Sequence, residues 1–212
     1  MRAINVLTRK KKIFFAVLLI IIAIVFGSIG TYYSRALWIK FNGIKLVPSK
    51  AIEPIEVSYF LQIDPEWSKD RIGNTQYILG SSGCLISALA SSMNKLGYET
   101  DPKQLNKEFS LNDVYTGNGE VIWYKINEVI PEIDYTYKRA FSRRTIENYL
   151  KQGLLPIVEV KFNTTGIFHW VLIVGSNNED FLIFDPLYKD REPIELKKHG
   201  KVYSYRILIP SE

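Results

Sequence analysis

The 212-residue chain has very few of the side chains that most often build thiol and metal sites. It contains one cysteine, Cys84, and two histidines, His169 and His199. One cysteine excludes an intramolecular disulfide. One cysteine with two separated histidines also gives no zinc-binding pattern, and the chain has no P-loop motif. We therefore expect neither a metal nor a cofactor, and the search for catalytic side chains is short.

Acidic residues are absent from residues 1–12, which hold five basic ones. Without those five, the chain has 22 basic and 22 acidic residues, so the remainder is neutral. A nucleic-acid-binding domain should carry a basic face on its folded part. The excess charge here lies only on a short tail, so we expect no nucleic-acid partner.

Charge of either sign is absent from residues 13–34, and residues 13–30 read IFFAVLLIIIAIVFGSIG. About 20 apolar residues span a bilayer as a helix. Basic residues collect on the cytoplasmic side of such helices. We therefore predict a cytoplasmic basic tail at 1–12, a single transmembrane anchor at 13–33 in the cell membrane, and a C-terminal part outside the cytoplasm.

A cleaved signal peptide is the alternative interpretation of this segment. Ser34-Arg35-Ala36 is a poor version of a small-residue cleavage site, and the apolar run exceeds the usual length of about 7–15 residues. An uncleaved anchor is therefore favoured over secretion. Both alternatives deliver the rest of the chain to the same side of the membrane.

The remaining sequence divides into a juxtamembrane linker at 34–54 and a domain at 55–212. Apolar spacing predicts helices first and strands later, which indicates an α+β fold with an antiparallel sheet. A short strand from Tyr59 to a turn before Pro65 is also predicted. The predicted helices are Cys84–Leu96, Asp101–Phe109, Trp123–Val129 and Arg144–Lys151, and the later strands are Leu155–Phe162, Phe168–Val174 and Phe181–Phe184.

Cys84 occupies the point where the loop Ser81-Ser82-Gly83 enters a helix. A lone cysteine is more often a small buried apolar residue. A helix N-terminus, however, carries partial positive charge that stabilises a thiolate. Its free backbone N–H groups can also hold an oxyanion. The position therefore makes Cys84 a candidate nucleophile.

A thiolate nucleophile needs a nearby base, and the chain offers two histidines. His199 lies in a charged loop, 197–201, that we predict to be exposed, whereas His169 begins a buried-looking strand. If the following hairpin turns about Asn178, residue 169 pairs with 187, and Asp185 is its diagonal neighbour on one face. A turn centred half a residue earlier moves Asp185 to the other face. In the first register Asp185 could hold the imidazole tautomer, as the third member of a triad does.

Seven segments form a recognisable pattern by their order and spacing across about residues 57–190. They are Gln62-Ile-Asp-Pro-Glu-Trp67, Ser82-Gly-Cys-Leu-Ile-Ser-Ala-Leu-Ala90, Thr100-Asp-Pro102, Gly119-Glu-Val-Ile-Trp123, Leu155-Pro-Ile-Val158, His169-Trp-Val-Leu-Ile-Val-Gly175 and Asp185-Pro186. With this pattern the chain resembles the C39-like peptidases, relatives of the bacteriocin-processing domains in the papain-like cysteine peptidase clan.

The resemblance implies a papain-like fold in which N-terminal helices pack on the antiparallel sheet. It implies Cys84 as nucleophile, His169 as general base and acid, and Asp185 as the orienting acid. Gln62 would be the side-chain donor of the oxyanion hole, although the residues alone indicate an exposed polar strand residue there. The expected substrate is a peptide or protein.

Two features depart from the bacteriocin-processing branch, which has Gly after the nucleophile and Gln a few residues before it. Here Leu85 follows Cys84, and Gln62 lies 22 positions upstream. We therefore do not expect this chain to share the preference of that branch for cleavage after double-Gly leaders. The favoured hypothesis is a membrane-anchored, extracytoplasmic thiol peptidase. The alternatives are a non-catalytic domain that binds a peptide or partner, and a cell-wall peptide amidase.

Overall fold

Six strands form one antiparallel sheet in a computed structural model that describes residues 2–162, 165–190 and 192–211. The strand order is β1-β6-β2-β3-β4-β5, and every neighbouring pair is antiparallel. This confirms the predicted α+β class. The elements are α1 Arg2–Asn42, α2 Leu79–Ser82, α3 Cys84–Lys95, α4 Pro102–Leu111, α5 Tyr124–Val129, β1 Ile133–Thr136, α6 Arg143–Lys151, β2 Pro156–Lys161, β3 Phe168–Ser176, β4 Phe181–Phe184, β5 Ile194–Glu195, a 3-10 turn Leu196–Lys198 and β6 Val202–Pro210.

The two faces of the sheet bury two separate apolar cores. Side chains alternate between the faces with a period of two. Ile157 and Leu172 belong to the core that contains α3 and α4, whereas Val158 and Val171 belong to the core that contains α6 and the end of α1. The sheet is therefore the middle layer of the domain, with helices on both sides.

Helices α3 and α4 form as their sequences predict. Leu89 and Met93, one turn apart on α3, are fully buried against the sheet. Gly97 ends this helix with a φ of 91°, a backbone conformation that glycine adopts without steric cost. Asp101 caps α4 by accepting a hydrogen bond from the Gln104 N–H at 2.8 Å, and Pro102 takes the first helical position.

Helix α1 is long and apolar enough to cross a membrane over Lys11–Asn42, with a mean hydropathy of 3.0 and no burial in its apolar stretch. A signal sequence would share these properties. Its last turns pack onto the domain: Ile39 is fully buried, and Arg35 Nη2 donates to the Phe141 carbonyl at 3.2 Å. Ile44 then forms an antiparallel bridge with Val202. The segment predicted as a linker is thus largely attached to the sheet.

The predicted strand after Tyr59 is wrong, because that segment is irregular and ends in turns. Its hydrogen bonds go to loops instead of a strand ladder. The Gln62 N–H donates to the Pro186 carbonyl at 3.0 Å, and Trp67 Nε1 donates to the Leu61 carbonyl at 2.8 Å. The prediction also missed β1, β5, β6 and the short α2.

The β3–β4 hairpin adopts the first of the two registers considered. Leu172 faces Phe184 and Ile173 faces Ile183, and continuing that register places His169 opposite Leu187. Next to the turn, Ser176 pairs with Phe181, so the register there is shifted by one residue. A bulge between residues 173 and 175 absorbs the difference. Residues 169 and 185 therefore project from the same face.

Candidate active site

Cys84, His169 and Gln62 line one cleft of about 550 Å³. The cleft lies where the N-terminus of α3 meets the start of β3. Trp123 and Trp170 also line it and provide aromatic walls. The fold thus brings three of the four predicted site residues to one opening.

The thiol side of the cleft is built by a short stretch of chain. Helix α2 ends at Ser82, Gly83 makes the junction, and α3 begins at Cys84. A Cβ atom at Gly83 would lie 2.5 Å from the Leu79 carbonyl oxygen, so only glycine fits without a backbone shift. The Gly83 carbonyl accepts from the Ser87 N–H at 3.0 Å, which starts α3. Cys84 itself is partly exposed.

His169 and Asp185 form a buried pair. His169 Nε2 lies 2.7 Å from Asp185 Oδ1, and the two residues are 2% and 5% exposed. Because Nε2 faces the carboxylate, Nδ1 is the nitrogen left for the thiol. Burial alone lowers the pKa of His169, but the hydrogen bonds and negative charges of Asp185 and Cys84 outweigh it and raise the pKa to about 9.

The Asp185 carboxylate accepts two hydrogen bonds in addition to the one from His169. The Leu187 N–H donates to Oδ1 at 2.9 Å, and His199 Nε2 lies 2.9 Å from Oδ2. Burial would raise the pKa of this carboxyl group, but the bonds from His169 and His199 hold the pKa below its usual range. Asp185 is therefore an ionised acceptor that can hold the His169 tautomer.

The prediction that His199 is exposed is wrong, because the residue is only 7% exposed. The 3-10 turn directly before it is held in place by Asp180, whose Oδ2 accepts a hydrogen bond from the Lys197 N–H at 2.8 Å. Its charged neighbours concealed this in the sequence. The signal that could have found it is the rarity of histidine, together with the buried Leu196 three residues earlier.

Gln62 is 1% exposed, so the alternative of an exposed strand residue is wrong. Its Nε2 donates to the Gly80 carbonyl at 3.0 Å. This bond fixes the orientation of the amide, because a carbonyl can only accept. It uses one of the two Nε2 protons. Oε1 is buried and has no hydrogen-bond partner among the described residues.

Comparison with known proteins agrees with this arrangement. A family model described as "Peptidase_C39 like family" matches residues 54–207, which include all four predicted site residues. The chain belongs to the peptidase C39-like family. The family indicates a peptidase-type activity.

A solved structure shares the C39-like fold. It is a Bacillus anthracis protein described as a C39-like peptidase, with a TM-score of 0.51 and 15% sequence identity. The match covers 80% of this chain and 99% of that one. No curated protein matches the sequence. In the described part of the chain, no three or more His, Cys, Asp and Glu side chains converge to hold a metal ion.

Proposed function

We propose that the protein is a thiol peptidase with Cys84 as nucleophile, His169 as general base and acid, Asp185 as the residue that orients His169, and Gln62 as an oxyanion donor. The observation that carries this proposal is the chain of contacts in the cleft. The imidazole of His169 is hydrogen-bonded to Asp185 on one side. The Cys84 thiol lines the same cleft and lies close enough to raise the pKa of His169. A non-catalytic domain would not require this chain of contacts.

The reaction begins from a thiolate on Cys84 and an imidazolium on His169. The thiolate sulfur attacks the carbonyl carbon of the scissile peptide bond, and the negative charge moves to the carbonyl oxygen. The Cys84 N–H and the second Nε2 proton of Gln62 donate to that oxygen. The adjacent Gly80 carbonyl keeps the amide nitrogen in place.

His169 then gives its Nδ1 proton to the leaving amine, and the C–N bond breaks. This leaves an acyl-thioester on Cys84. Water attacks the thioester while His169 accepts a proton from it, and the C–S bond breaks. The products are a free carboxylic acid and the restored thiolate–imidazolium pair. Asp185 stays ionised throughout and stabilises the imidazolium.

Alkylation of the single cysteine tests the proposal. At pH 6 a free thiol is almost entirely protonated and therefore reacts slowly, whereas the proposal gives Cys84 as a thiolate. Iodoacetamide should therefore modify Cys84 much faster than it modifies a free thiol. His169→Ala should abolish this excess. Lys95→Gln, at the far end of α3, is the matched control and should react like the wild type. Reaction of wild-type Cys84 at the rate of an ordinary thiol would reject the proposed pair.

Hydrolysis of a peptide library by the full-length protein in detergent should depend on Cys84, and Cys84→Ala should remove it. Purified cell-wall peptides form the second substrate set in the same assay. Cleavage confined to that set would assign the protein to the amidase class instead of protein processing. Tight peptide binding without turnover in either set would favour the non-catalytic alternative.

We also propose that residues 13–33 anchor the protein and hold the cleft outside the cytoplasm. The exposed apolar stretch of α1 and the basic residues before it support this topology. A membrane-impermeant maleimide should label Cys84 in intact cells. Ala3→Cys in a Cys84→Ala background places the thiol on the basic tail and should be labelled only after lysis. The opposite labelling pattern would reverse the topology.

A further inference from the structure

Both histidines of the chain bind the same carboxylate. His169 Nε2 lies 2.7 Å from Asp185 Oδ1, and His199 Nε2 lies 2.9 Å from Oδ2. The ring centroids of the two histidines are 5.8 Å apart. The proposed reaction uses His169 and leaves His199 without a role. His199 is nevertheless 7% exposed, and its hydrogen bond to Asp185 has a normal length.

The protein holds His199 in this position from two directions. Asp180 accepts hydrogen bonds from the Lys197 and Phe181 N–H groups at 2.8 Å each, which ties the 3-10 turn to the start of β4. The Phe162 ring stacks on His169 with centroids 4.6 Å apart and meets His199 edge-on at 5.7 Å. One aromatic ring therefore packs against both imidazoles.

The hydrogen bonds determine which atoms carry protons. Asp185 is ionised, so it can only accept, and each Nε2 that faces it must donate. A carboxylate bound on one oxygen alone can rotate about its Cβ–Cγ bond. Donors on both oxygens fix the plane of the carboxylate, and that plane sets the direction of Oδ1 toward His169. A hydrogen-bond donor to Asp185 can therefore influence the orientation of the His169 imidazole.

We propose that His199 is a positioning residue that donates its Nε2 proton to Asp185 Oδ2 and so orients the carboxylate that holds His169. This inference rests on the proposed thiol-peptidase function and extends its triad by one residue. His199 does not touch the substrate or the thiol. It acts through Asp185 on the thiolate–imidazolium pair.

Two substitutions separate this role from simple filling of space. His199→Phe keeps a ring of similar size but removes the donor, whereas His199→Gln keeps an N–H donor near the position of Nε2. In the full-length protein, His199→Phe should lower the alkylation rate of Cys84 at pH 6 about tenfold and shift its pH profile upward. His199→Gln should stay within about threefold of the wild type. Peptide hydrolysis should fall in parallel, in kcat more than in KM.

The outcomes distinguish the inference from the proposed function. Wild-type Cys84 that reacts like a free thiol would reject the function, and the positioning role with it. A reactive wild type with an unchanged pH profile in His199→Phe would reject only the positioning role. Equal losses in both variants would show that the N–H donor kept in His199→Gln does not preserve reactivity, and would also reject the positioning role.

A measurement on the unmodified protein covers the case in which the Phe variant does not fold. Long-range ¹H–¹⁵N spectra of histidine-labelled protein report which ring nitrogen carries the proton. The proposed role requires a protonated Nε2 on His199, whether Nδ1 is protonated or not. A neutral His199 protonated at Nδ1 would overturn the inference without any activity assay.

Discussion

Cys84 and His169 reach the cleft from two different parts of the fold, and the two sides are held in place by different means. Cys84 begins α3, which packs on one face of the sheet, whereas His169 lies near the start of β3 within the sheet. The loop that leads into Cys84 is held by hydrogen bonds within twenty residues, from Ser68 to Ser87. The imidazole side depends on pairing between β3 and β4 and on a turn thirty residues beyond His169.

The two sides also differ in charge. The imidazole side contains the buried ion pair of His169 and Asp185, with His199 as a further donor. The thiol side instead presents backbone and amide donors, from Cys84 and Gln62. The difference suggests that substitutions on the imidazole side change proton transfer and thiol reactivity, whereas those on the thiol side change position and oxyanion binding.

The largest expected effect is on the imidazole side. Asp185→Asn keeps the size of the side chain but removes its charge, so the pKa of His169 should fall. By analogy with other triads, we expect peptide hydrolysis to fall about 10³- to 10⁴-fold. Alkylation at pH 6 should fall to the rate of a free thiol. Asp190→Asn, an exposed acid five residues later, is the control. Retained reactivity at pH 6 would show that Asp185 does not stabilise the imidazolium.

The second-largest expected effect concerns Gln62, and it should distinguish the thiol side from the imidazole side most clearly. Gln62→Leu removes the amide donor with little change in volume, and loss of an oxyanion donor typically costs about 10²- to 10³-fold in kcat. Alkylation by iodoacetamide forms no oxyanion, so its rate should remain near that of the wild type. Parallel loss of hydrolysis and alkylation would mean that Gln62 supports the thiol position instead of the oxyanion.

Gly83→Ala should have a smaller effect, because it changes only the position of Cys84. The new Cβ would meet the Leu79 carbonyl oxygen at 2.5 Å, so the start of α3 must move. We expect a loss of about 1–3 kcal/mol in the free energy of unfolding and about tenfold in hydrolysis. Gly117→Ala is the matched control, because a Cβ there has no atom within 4 Å. Equal melting temperatures for the two variants would contradict this account of the junction.

The smallest expected effect is a change with pH in the free energy of unfolding. The pKa of His169 is raised to about 9, from about 6.5 in an unfolded chain, so its pair with Asp185 stabilises the fold fully below about pH 6.5. That contribution is lost as the pH rises through about 9. The pKa of Asp185 is lowered, so its contribution is present above about pH 4 and is lost on further acidification.

Thermal unfolding in detergent should therefore show the largest difference between wild type and Asp185→Asn between about pH 4 and 6.5. The difference should shrink toward pH 9. A difference in melting temperature that does not change with pH would attribute the effect to packing and not to the ion pair.

The sequence predicted the helix that carries Cys84 better than it predicted the imidazole side, and the reason is physical. The start of α3, its buried Leu89 and the Asp101 cap of α4 follow from local spacing and capping, which act within a few residues. The β3–β4 register was left between two alternatives. It depended on a bulge at residues 173–175 that no local pattern signals.

The errors share one cause, which is that burial in this fold depends on distant partners. His199 is surrounded by lysines in the sequence but is buried by Asp185 and Phe162. Gln62 lies on an irregular segment that is held by Pro186 and Gly80. Strand β6 has the alternating aromatic and aliphatic residues of a strand, with Tyr205 and Ile207 inward, and could have been predicted.

The C-terminal end of α1 has a consequence for the direction in which the cleft faces. The helix continues without a break to Asn42, and Ile39 and Arg35 join it to the domain. Rotation of the helix about its axis should therefore turn the cleft by the same angle. Each helical residue adds about 100° of rotation. If α1 spans the membrane as proposed, one alanine inserted between Thr31 and Ser34 would point the cleft toward a different neighbour in the plane of the membrane, while its chemistry stayed the same.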